Sequence, residues 1–259
     1  MEFGVVVLSI VPVRSQPSDR AEMTTQLLFG ELVVIHQKTG SWLQIRNVYD
    51  NYEGWVDVKQ VEKISEDEFR ELKNKDQFFV KEVVDVIEIK NSGGLLPVVL
   101  GSVIPPSDED SFTLAGKTFS YSGNTAVPQL NNPYPHLLET AMMFMNAPYL
   151  WGGKTPFGVD CSGLMQVVYM LAGIHLLRDA SQQATLGETV SLIAEAKPGD
   201  LAFFYNEQGE IVHVGMIMEN NEIIHASGRV RIDSIDHQGI YNKELKKYTH
   251  TLRLIKRIA

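Results

Sequence analysis

The first half of the chain alternates short hydrophobic runs with polar turns, a pattern typical of β-strands. The runs that precede residue 60 are rich in β-branched residues, and polar or glycine-containing turns separate them. They lie at Val5–Val13, Leu32–Gln37, Ser41–Val48 and Gly54–Val58. Several short strands with polar turns predict a small all-β barrel, which we place at residues 1–64.

A charged segment follows this barrel, and the strand pattern then resumes. Glu66–Lys75 carries Phe69 and Leu72 three positions apart, which predicts a short amphipathic connecting helix. The later hydrophobic runs are Phe78–Lys90, Leu95–Gly101, Ser111–Leu114 and Lys117–Tyr121, with a predicted loop through residues 105–110. We expect a second small barrel here, so that the connecting helix and this barrel occupy residues 65–127.

Beyond a linker rich in Pro and Asn at Pro128–Pro135, the hydrophobic pattern changes to a helical period. Helices are predicted at His136–Met145 and Ser162–Ala172, the second one ending at Gly173. Strand-like runs follow at Leu201–Tyr205, Ile211–Met218, Ile223–Ala226 and Leu252–Ile258. Helices followed by such strands predict an α+β domain with an antiparallel sheet at residues 128–259.

Composition narrows the function classes. The 259 residues are 44% hydrophobic and 21% charged, values of a globular rather than a disordered protein. A net charge of −9 argues against binding nucleic acid or an anionic membrane through bulk charge. Because no basic residue precedes the first apolar run, we expect a cytoplasmic chain, or an exported one if a leader has been removed.

Cys161 is the single cysteine, which excludes an internal disulfide and a cysteine-rich zinc site. It stands at the first turn of a predicted helix, with Asp160 placed as the N-cap. Backbone N–H groups and the helix dipole favour a thiolate at that position, so we expect a lowered thiol pKa. The alternative is an inert buried cysteine, which is the commoner fate of a free thiol.

Two of the seven histidines interrupt apolar strands, whereas the other five lie in polar or loop-like surroundings. His213 lies within Ile211–Met218, and His225 lies on the next strand. Side chains alternate between the faces of a sheet, so loop length decides whether the two share a face. A two-residue turn at Asn220-Asn221 would separate them, whereas a three-residue loop that pairs Met218 with Glu222 would make them diagonal neighbours. If the two histidines cooperate, we predict the loop with an odd number of residues, which is the three-residue loop.

These three residues match the needs of nucleophilic catalysis. A thiol nucleophile requires a base within about 3 Å, and the base requires an orienting partner on its other nitrogen. We therefore predict Cys161 as nucleophile, His213 as base and His225 as orienting residue. The alternative for the histidine pair is a metal site formed with the cysteine, but the spacing gives no compact ligand motif. We expect no cofactor.

Five motifs of the C-terminal half resemble the NlpC/P60 cysteine peptidases. They are Tyr149-Leu150-Trp151-Gly152-Gly153, Asp160-Cys161-Ser162-Gly163, Lys197-Pro198-Gly199-Asp200-Leu201, His213-Val214-Gly215 and His225-Ala226-Ser227. The family pattern gives Cys161, His213 and His225 the three catalytic roles and implies a papain-like fold. The two barrel-like modules resemble bacterial SH3 domains, and the segments that begin at Arg178 and His225 resemble the γ-D-glutamyl-L-diamino-acid endopeptidases.

That resemblance implies hydrolysis between D-glutamate and the diamino acid of small murein peptides such as L-Ala-γ-D-Glu-diaminopimelate. Members of the subgroup require a free N-terminal L-alanine and act in cell-wall peptide recycling. Candidate substrate-binding residues are Tyr149, Trp151, Asp160, Ser162, Ser181, Arg178 and, from the first barrel, Glu53. Two alternatives stay open, a catalytically inactive wall-binding protein and a thiol amidase or acyltransferase. We expect a monomer with no nucleic-acid or membrane partner.

Overall fold

The computed structural model describes residues 1–90, 93–106, 111–126 and 133–258. The chain forms two compact units, Met1–Val127 and Pro128–Ala259. Residues 107–110 of the predicted loop and most of the predicted linker lie outside the described residues. Within the described ranges, no helix combines the length and the apolar composition that a membrane crossing requires.

The N-terminal unit begins with a seven-stranded sheet of antiparallel pairs. Its strands are β1 (Glu2–Val5), β2 (Ile10–Arg14), β3 (Met23–Leu28), β4 (Leu32–Thr39), β5 (Trp42–Asn47), β6 (Glu53–Asp57) and β7 (Glu62–Ile64), in the spatial order β3-β2-β6-β5-β4-β1-β7. The run predicted as one strand at Val5–Val13 is divided between β1 and β2, and β3 was not predicted. Alternate side chains of β2 and β5 are buried, as the hydrophobic pattern requires.

The connecting helix α1 (Glu66–Asn74) lies close to its predicted position. Ser65 caps it by accepting from the Glu68 N–H at 3.1 Å, and Phe69 is its buried residue. The strands that follow are β8 (Phe78–Val80), β9 (Val84–Ile89), β10 (Gly94–Val99), β11 (Val103–Ile104), β12 (Ser111–Leu114), β13 (Lys117–Ser120) and β14 (Thr125–Ala126). They form a four-stranded sheet and a three-stranded sheet.

The two β-rich stretches of this unit share one hydrophobic core. Phe29, which follows β3, packs edge-on against Phe112 and Phe119 at centroid distances of 6.2 and 5.4 Å. The backbone N–H of Val103 also donates to the Phe29 carbonyl at 2.8 Å. The second stretch thus adds its apolar side chains to a core that the first stretch begins. A second, separate SH3-like barrel at residues 65–127 stays a prediction.

The C-terminal unit is built from helices on an antiparallel sheet, as predicted. Its helices are α2 (Tyr134–Met143), α3 (Cys161–Leu171) and α4 (Ala180–Gln183). Its strands are β15 (Lys154–Thr155), β16 (Gly158–Val159), β17 (Glu188–Val190), β18 (Leu201–Tyr205), β19 (Ile211–Ile217), β20 (Glu222–Ser227), β21 (Arg229–Ile235), β22 (Gly239–Asn242) and β23 (Lys247–Arg257). The main sheet has the order β17-β23-β18-β19-β20-β21-β22, and β22 also pairs with β23.

Helix α3 carries the cysteine into the interior of this unit. Every residue of the helix is buried, and it packs against α2 on one side and against β19 and β20 on the other. A helix covered on all sides needs mostly apolar residues, and the polar side chains of this one are those of Ser162 and Gln166. Its first residue, Cys161, therefore lies over the central strands of the sheet.

Candidate active site

Cys161 is the first residue of α3, and Asp160 caps the N-terminus of this helix as predicted. Asp160 accepts from the Gly163 N–H at 2.7 Å through Oδ1. The backbone N–H groups of Ser162 and Val214 reach the Cys161 sulfur. Since Val214 adjoins His213 on β19, the thiol lies beside the strand that carries the predicted base.

The predicted lowering of the thiol pKa is wrong. Burial and the neighbouring Asp160 carboxylate raise the pKa of Cys161 to about 12. The N–H groups of Val214 and Ser162 act in the opposite direction but do not outweigh the loss of solvation. The sulfur is therefore a neutral thiol at pH 7, and its activation requires a base that removes the proton during attack.

Glycines of two motifs allow the cap of α3 to touch the preceding loop. A Cβ on Gly163 would lie 2.2 Å from the Gly153 carbonyl oxygen, closer than real Cβ contacts. Gly152 has a φ of +76°, in the left-handed region that favours glycine, and its N–H donates to Asp160 Oδ2 at 2.8 Å. These contacts give a physical reason for the glycines that surround Asp160 and Cys161.

Asp160 also forms a buried ion pair. The Arg178 guanidinium donates to Oδ1 at 3.0 Å and to Oδ2 at 2.6 Å, and both side chains are buried. The same guanidinium donates to Ser162 Oγ at 3.0 Å. The Arg178 side chain is 1% exposed and is engaged by Asp160, and its predicted contact with substrate stays a prediction.

The same network bears on the predictions for Ser162 and Asp160. The Ser162 hydroxyl is buried and donates to Asp160 Oδ1 at 3.3 Å. An anion already paired with Arg178 attracts a substrate ammonium less strongly than an unpaired carboxylate would. Roles of Asp160 and Ser162 in substrate binding therefore stay predictions. Their hydrogen bonds to each other and to Arg178 are present in the structure.

The two strand histidines meet, and the odd-loop prediction is confirmed. Gly215 pairs with His225, and the loop Glu219–Asn221 leaves Met218 opposite Glu222. Its residues Asn220 and Asn221 have φ values of 57° and 55°, which asparagine tolerates better than most residues. His213 Nε2 lies 2.9 Å from His225 Nδ1, and both rings are buried.

Sequence reasoning missed the residues that continue this chain of contacts. His225 Nε2 lies 3.1 Å from Asp233 Oδ2, and Asp233 is buried on β21. Arg231 donates to both carboxylate oxygens, Nε to Oδ2 at 2.7 Å and Nη2 to Oδ1 at 3.0 Å. The turn at Gly228 places Arg231 opposite His225, so the register argument applied to this hairpin would have found Asp233 two positions away.

A third histidine, taken from sequence to be outside the site, also belongs to it. The ring of His250 stacks on that of His213, with 4.1 Å between centroids and 24° between planes. Ligand atoms of His213, His225 and His250 lie within 4.8 Å of one another. However, a metal bound in the plane of one stacked ring lies out of the plane of the other, so the stack is poor ligand geometry.

The remaining predicted residues occupy different settings. Tyr149 is partly buried, and the Cys161 sulfur acts on its hydroxyl electrostatically. Trp151 is 59% exposed, and Ser181 is exposed at the start of α4. Glu53 is an exposed residue of β6 in the other unit, where it lies 3.8 Å from His36 Nε2. Their contacts with substrate stay predictions.

Two family models match parts of this chain. The NlpC/P60 family matches residues 146–250, and the bacterial dipeptidyl-peptidase SH3 domain matches residues 13–61. The gamma-D-glutamyl-L-lysine dipeptidyl-peptidase of Bacillus subtilis is 29% identical over 239 residues, which cover 85% of this chain and 78% of the relative. Dipeptidyl-peptidase 6 of Lysinibacillus sphaericus is 25% identical over 267 residues, covering 93% and 95%.

The fold has a solved counterpart over its whole length. The crystal structure of an NlpC/P60 family protein from Bacillus cereus superposes with a TM-score of 0.82 at 20% identity, and the match covers 99% of each chain. This chain therefore carries an NlpC/P60 domain with a bacterial dipeptidyl-peptidase SH3 domain ahead of it, and it is a hydrolase.

Proposed function

We propose that this protein hydrolyses the bond between γ-D-glutamate and the diamino acid in small murein peptides that carry a free N-terminal L-alanine. Cys161 is the nucleophile, His213 is the base, and His225 orients His213. The relatives named gamma-D-glutamyl-L-lysine dipeptidyl-peptidase and dipeptidyl-peptidase 6 support this substrate class, because they match the chain across both of its units.

One observation carries the proposal more than the others. The Cys161 sulfur accepts from the Val214 N–H, and the residue before Val214 is the histidine whose Nε2 lies 2.9 Å from His225 Nδ1. With Nε2 engaged, Nδ1 is the ring nitrogen of His213 left for the thiol proton. These contacts support a nucleophile, a base and a group that holds the base, in that order.

Acylation begins from a neutral thiol and a neutral imidazole. As the sulfur attacks the γ-carbonyl carbon of D-glutamate, the thiol proton passes to His213 Nδ1 and a tetrahedral oxyanion forms. The C–N bond then breaks, and His213 returns the proton to the leaving amine of the diamino acid. The products are this amine and a thioester between Cys161 and L-Ala-D-Glu.

Hydrolysis of the thioester uses the same residues in reverse order. His213 takes a proton from water as the water oxygen attacks the thioester carbon, and the C–S bond breaks. The proton passes from His213 to sulfur, which restores the thiol and releases the dipeptide with a free γ-carboxylate. No additional reactant besides water is needed, so the steps balance for peptide hydrolysis.

The Tyr149 hydroxyl is suited to stabilise the oxyanion. Burial and the nearby Cys161 raise its pKa to about 12, so the group keeps its proton at neutral pH and can donate it in a hydrogen bond. Small soluble peptides of this kind arise during wall turnover, which fits a role in recycling and a cytoplasmic location.

Mass-spectrometric detection of products from defined peptides tests the proposal. Wild-type protein should release L-Ala-D-Glu from L-Ala-γ-D-Glu-diaminopimelate and from the L-lysine peptide, and the ratio of kcat/KM values reports the preferred diamino acid. Cys161→Ala should lose at least about 10³-fold in kcat while keeping the wild-type melting temperature. His237→Gln, a change at an exposed histidine, is the matched control.

Two further arms separate the alternatives. N-acetylation of the alanine should abolish turnover if the amine is recognised, and equal turnover of both peptides would contradict the proposed substrate end. An added amine should not capture the acyl group, since capture instead of hydrolysis would indicate an acyltransferase. Full activity of Cys161→Ala would overturn the assignment of the nucleophile.

A further inference from the structure

The catalytic histidine pair ends on a carboxylate that is held in place from its other side. Asp233 Oδ2 lies 3.1 Å from His225 Nε2, and Arg231 donates to both oxygens of Asp233. Burial opposes ionisation of Asp233, but hydrogen bonds from His225 and Arg231 keep the pKa of this carboxyl below its usual value. Asp233 is therefore a carboxylate that can only accept hydrogen bonds.

An acceptor at this end fixes where the protons lie on both rings. His225 must carry its proton on Nε2 to bond Asp233, and burial lowers the pKa of His225, so the ring is neutral and its Nδ1 is an acceptor. His213 then donates from Nε2 to that Nδ1 across 2.9 Å. Burial also lowers the pKa of His213, so its Nδ1 holds a lone pair.

The opposite arrangement satisfies the histidine contact equally well but disables the base. If His225 carried its proton on Nδ1, His213 Nε2 would accept it, and the single proton of the neutral His213 ring would stand on Nδ1. A protonated Nδ1 cannot take the thiol proton. The distance between the two rings does not choose between these arrangements, whereas the Asp233 carboxylate does.

We propose that Asp233, held by Arg231, is a positioning residue that sets the tautomers of His225 and His213 and thereby leaves Nδ1 of His213 free to accept the Cys161 proton. The proposal rests on the proposed function, because it assigns a role in delivering the base of that reaction. It adds a fourth and a fifth member to the catalytic chain, neither of which touches the substrate.

Two variants at position 233 remove the acceptor in different ways. Asp233→Ala deletes it. Asp233→Asn keeps the shape, but an amide has only one oxygen and cannot accept from both Arg231 Nε and Nη2. In one orientation the amide NH₂ opposes an N–H group of Arg231. In the other orientation the amide NH₂ donates to His225. Glu244→Gln is the control, because Glu244 contacts Arg231 from the solvent side and leaves the pair with Asp233 intact.

Nitrogen-15 NMR of the histidine rings reads the tautomers directly, without substrate. Wild type and Glu244→Gln should show Nε2–H tautomers for His213 and His225, assigned with single histidine substitutions. Asp233→Ala should populate the Nδ1–H tautomer of both rings, and its kcat should fall about 10- to 100-fold with KM within twofold of wild type. Asp233→Asn should give a mixture of tautomers and a smaller loss.

The outcomes separate this inference from the proposed function. If either folded Asp233 variant keeps the wild-type tautomers and a kcat within twofold, the role assigned to Asp233 is wrong. If the tautomers change while Cys161→Ala retains turnover, the tautomer assignment stands and the proposed function fails. Should Asp233→Ala unfold, Asp233→Asn supplies both readouts, since it preserves the volume of the side chain.

Discussion

His250 stacks face to face on His213, with 4.1 Å between ring centroids and 24° between ring planes. Two imidazolium rings at this distance would repel each other in a site that offers little solvation. Burial, followed by the charges of His250 and His225, holds the pKa of His213 well below 6.5, and burial lowers the pKa of His250 to about 4. Burial and the stacked ring therefore both favour a neutral base.

The pH profile of activity should show this neutral base. Since His213 acts in its unprotonated form and its pKa is lowered, the acid limb of kcat/KM should lie well below pH 6.5. Initial rates between pH 4 and pH 8 on the free tripeptide give the profile. A limb centred at or above pH 6.5 would contradict the inferred environment of His213.

His250→Phe tests the contribution of the stack to that profile. Phenylalanine keeps a flat ring against His213 but removes the positive charge that lowers the pKa of the base. The acid limb should therefore move to higher pH, while kcat at pH 8 stays within about threefold of wild type because the base is neutral there in both proteins. An unchanged acid limb would show that His250 does not act on His213 through charge.

Alkylation of Cys161 reports the state of the nucleophile. With a thiol pKa raised to about 12 by burial and Asp160, the thiolate fraction rises about tenfold for each pH unit from pH 7 to pH 10. Inactivation by iodoacetamide in the absence of substrate should follow that slope. A rate that is already constant above pH 6 would instead indicate a preformed thiolate–imidazolium pair.

Stability should fall on the acid side because buried neutral histidines must become charged. The folded-state pKa of His250 is about 4 and that of the unfolded chain is near 6.5, so between these values the unfolded state binds more protons. The contribution of the neutral His250 ring to the free energy of unfolding is present above pH 6.5 and is lost as the pH falls towards 4. Urea unfolding at pH 7 and pH 5 should show a smaller decrease for His250→Phe than for wild type.

The Asp160–Arg178 pair should be worth far more to folding than a surface pair. Arg178→Met leaves a buried carboxylate without its cation and should cost about 3–5 kcal/mol of unfolding free energy. Asp160→Asn together with Arg178→Met should recover part of that loss, which a double-mutant cycle in urea would measure.

The matched control for this cycle is the exposed pair between Arg229 and Glu244. Arg229→Met should change the unfolding free energy by less than about 1 kcal/mol, since solvent screens the charges of that pair. Equal losses from Arg178→Met and Arg229→Met would mean that burial does not govern the energy of the Asp160–Arg178 pair.

The sequence predicted those parts of the site that depend on local pattern. The helix that begins at Cys161, its cap Asp160 and the shared face of His213 and His225 follow from spacing and strand alternation. His250 could not be predicted in this way, because β23 lies beside β18 in the sheet, far from its place in the chain.

The pKa of the Cys161 thiol could not be predicted from the sequence either. The helix start predicts a lowered thiol pKa, and the N–H groups that would lower it are present. Burial outweighs them, and burial depends on how α3 packs against β19 rather than on the residues around Cys161. Likewise, the sequence does not show which group Arg178 contacts. The structure shows that its guanidinium forms an ion pair with Asp160.

The loop Glu219–Asn221 gives the most direct test of how the chain builds its site. Its three residues set the pairing of Gly215 with His225, so deletion of Asn221 leaves two residues and shifts the register by one. Strand β20 would then either turn His225 away from His213 or form a bulge to keep it in place. We expect a loss of kcat of about 10- to 100-fold, similar to removal of an orienting residue.

A control of equal loop length separates register from loop chemistry. Asn220→Gly retains three residues and suits the φ of 57° at that position, so its activity should stay within twofold of wild type. Circular dichroism and the melting temperature establish that both variants fold. A folded deletion variant with wild-type kcat would show that the sheet restores the contact between His213 and His225 by a bulge, and that loop length does not determine the site.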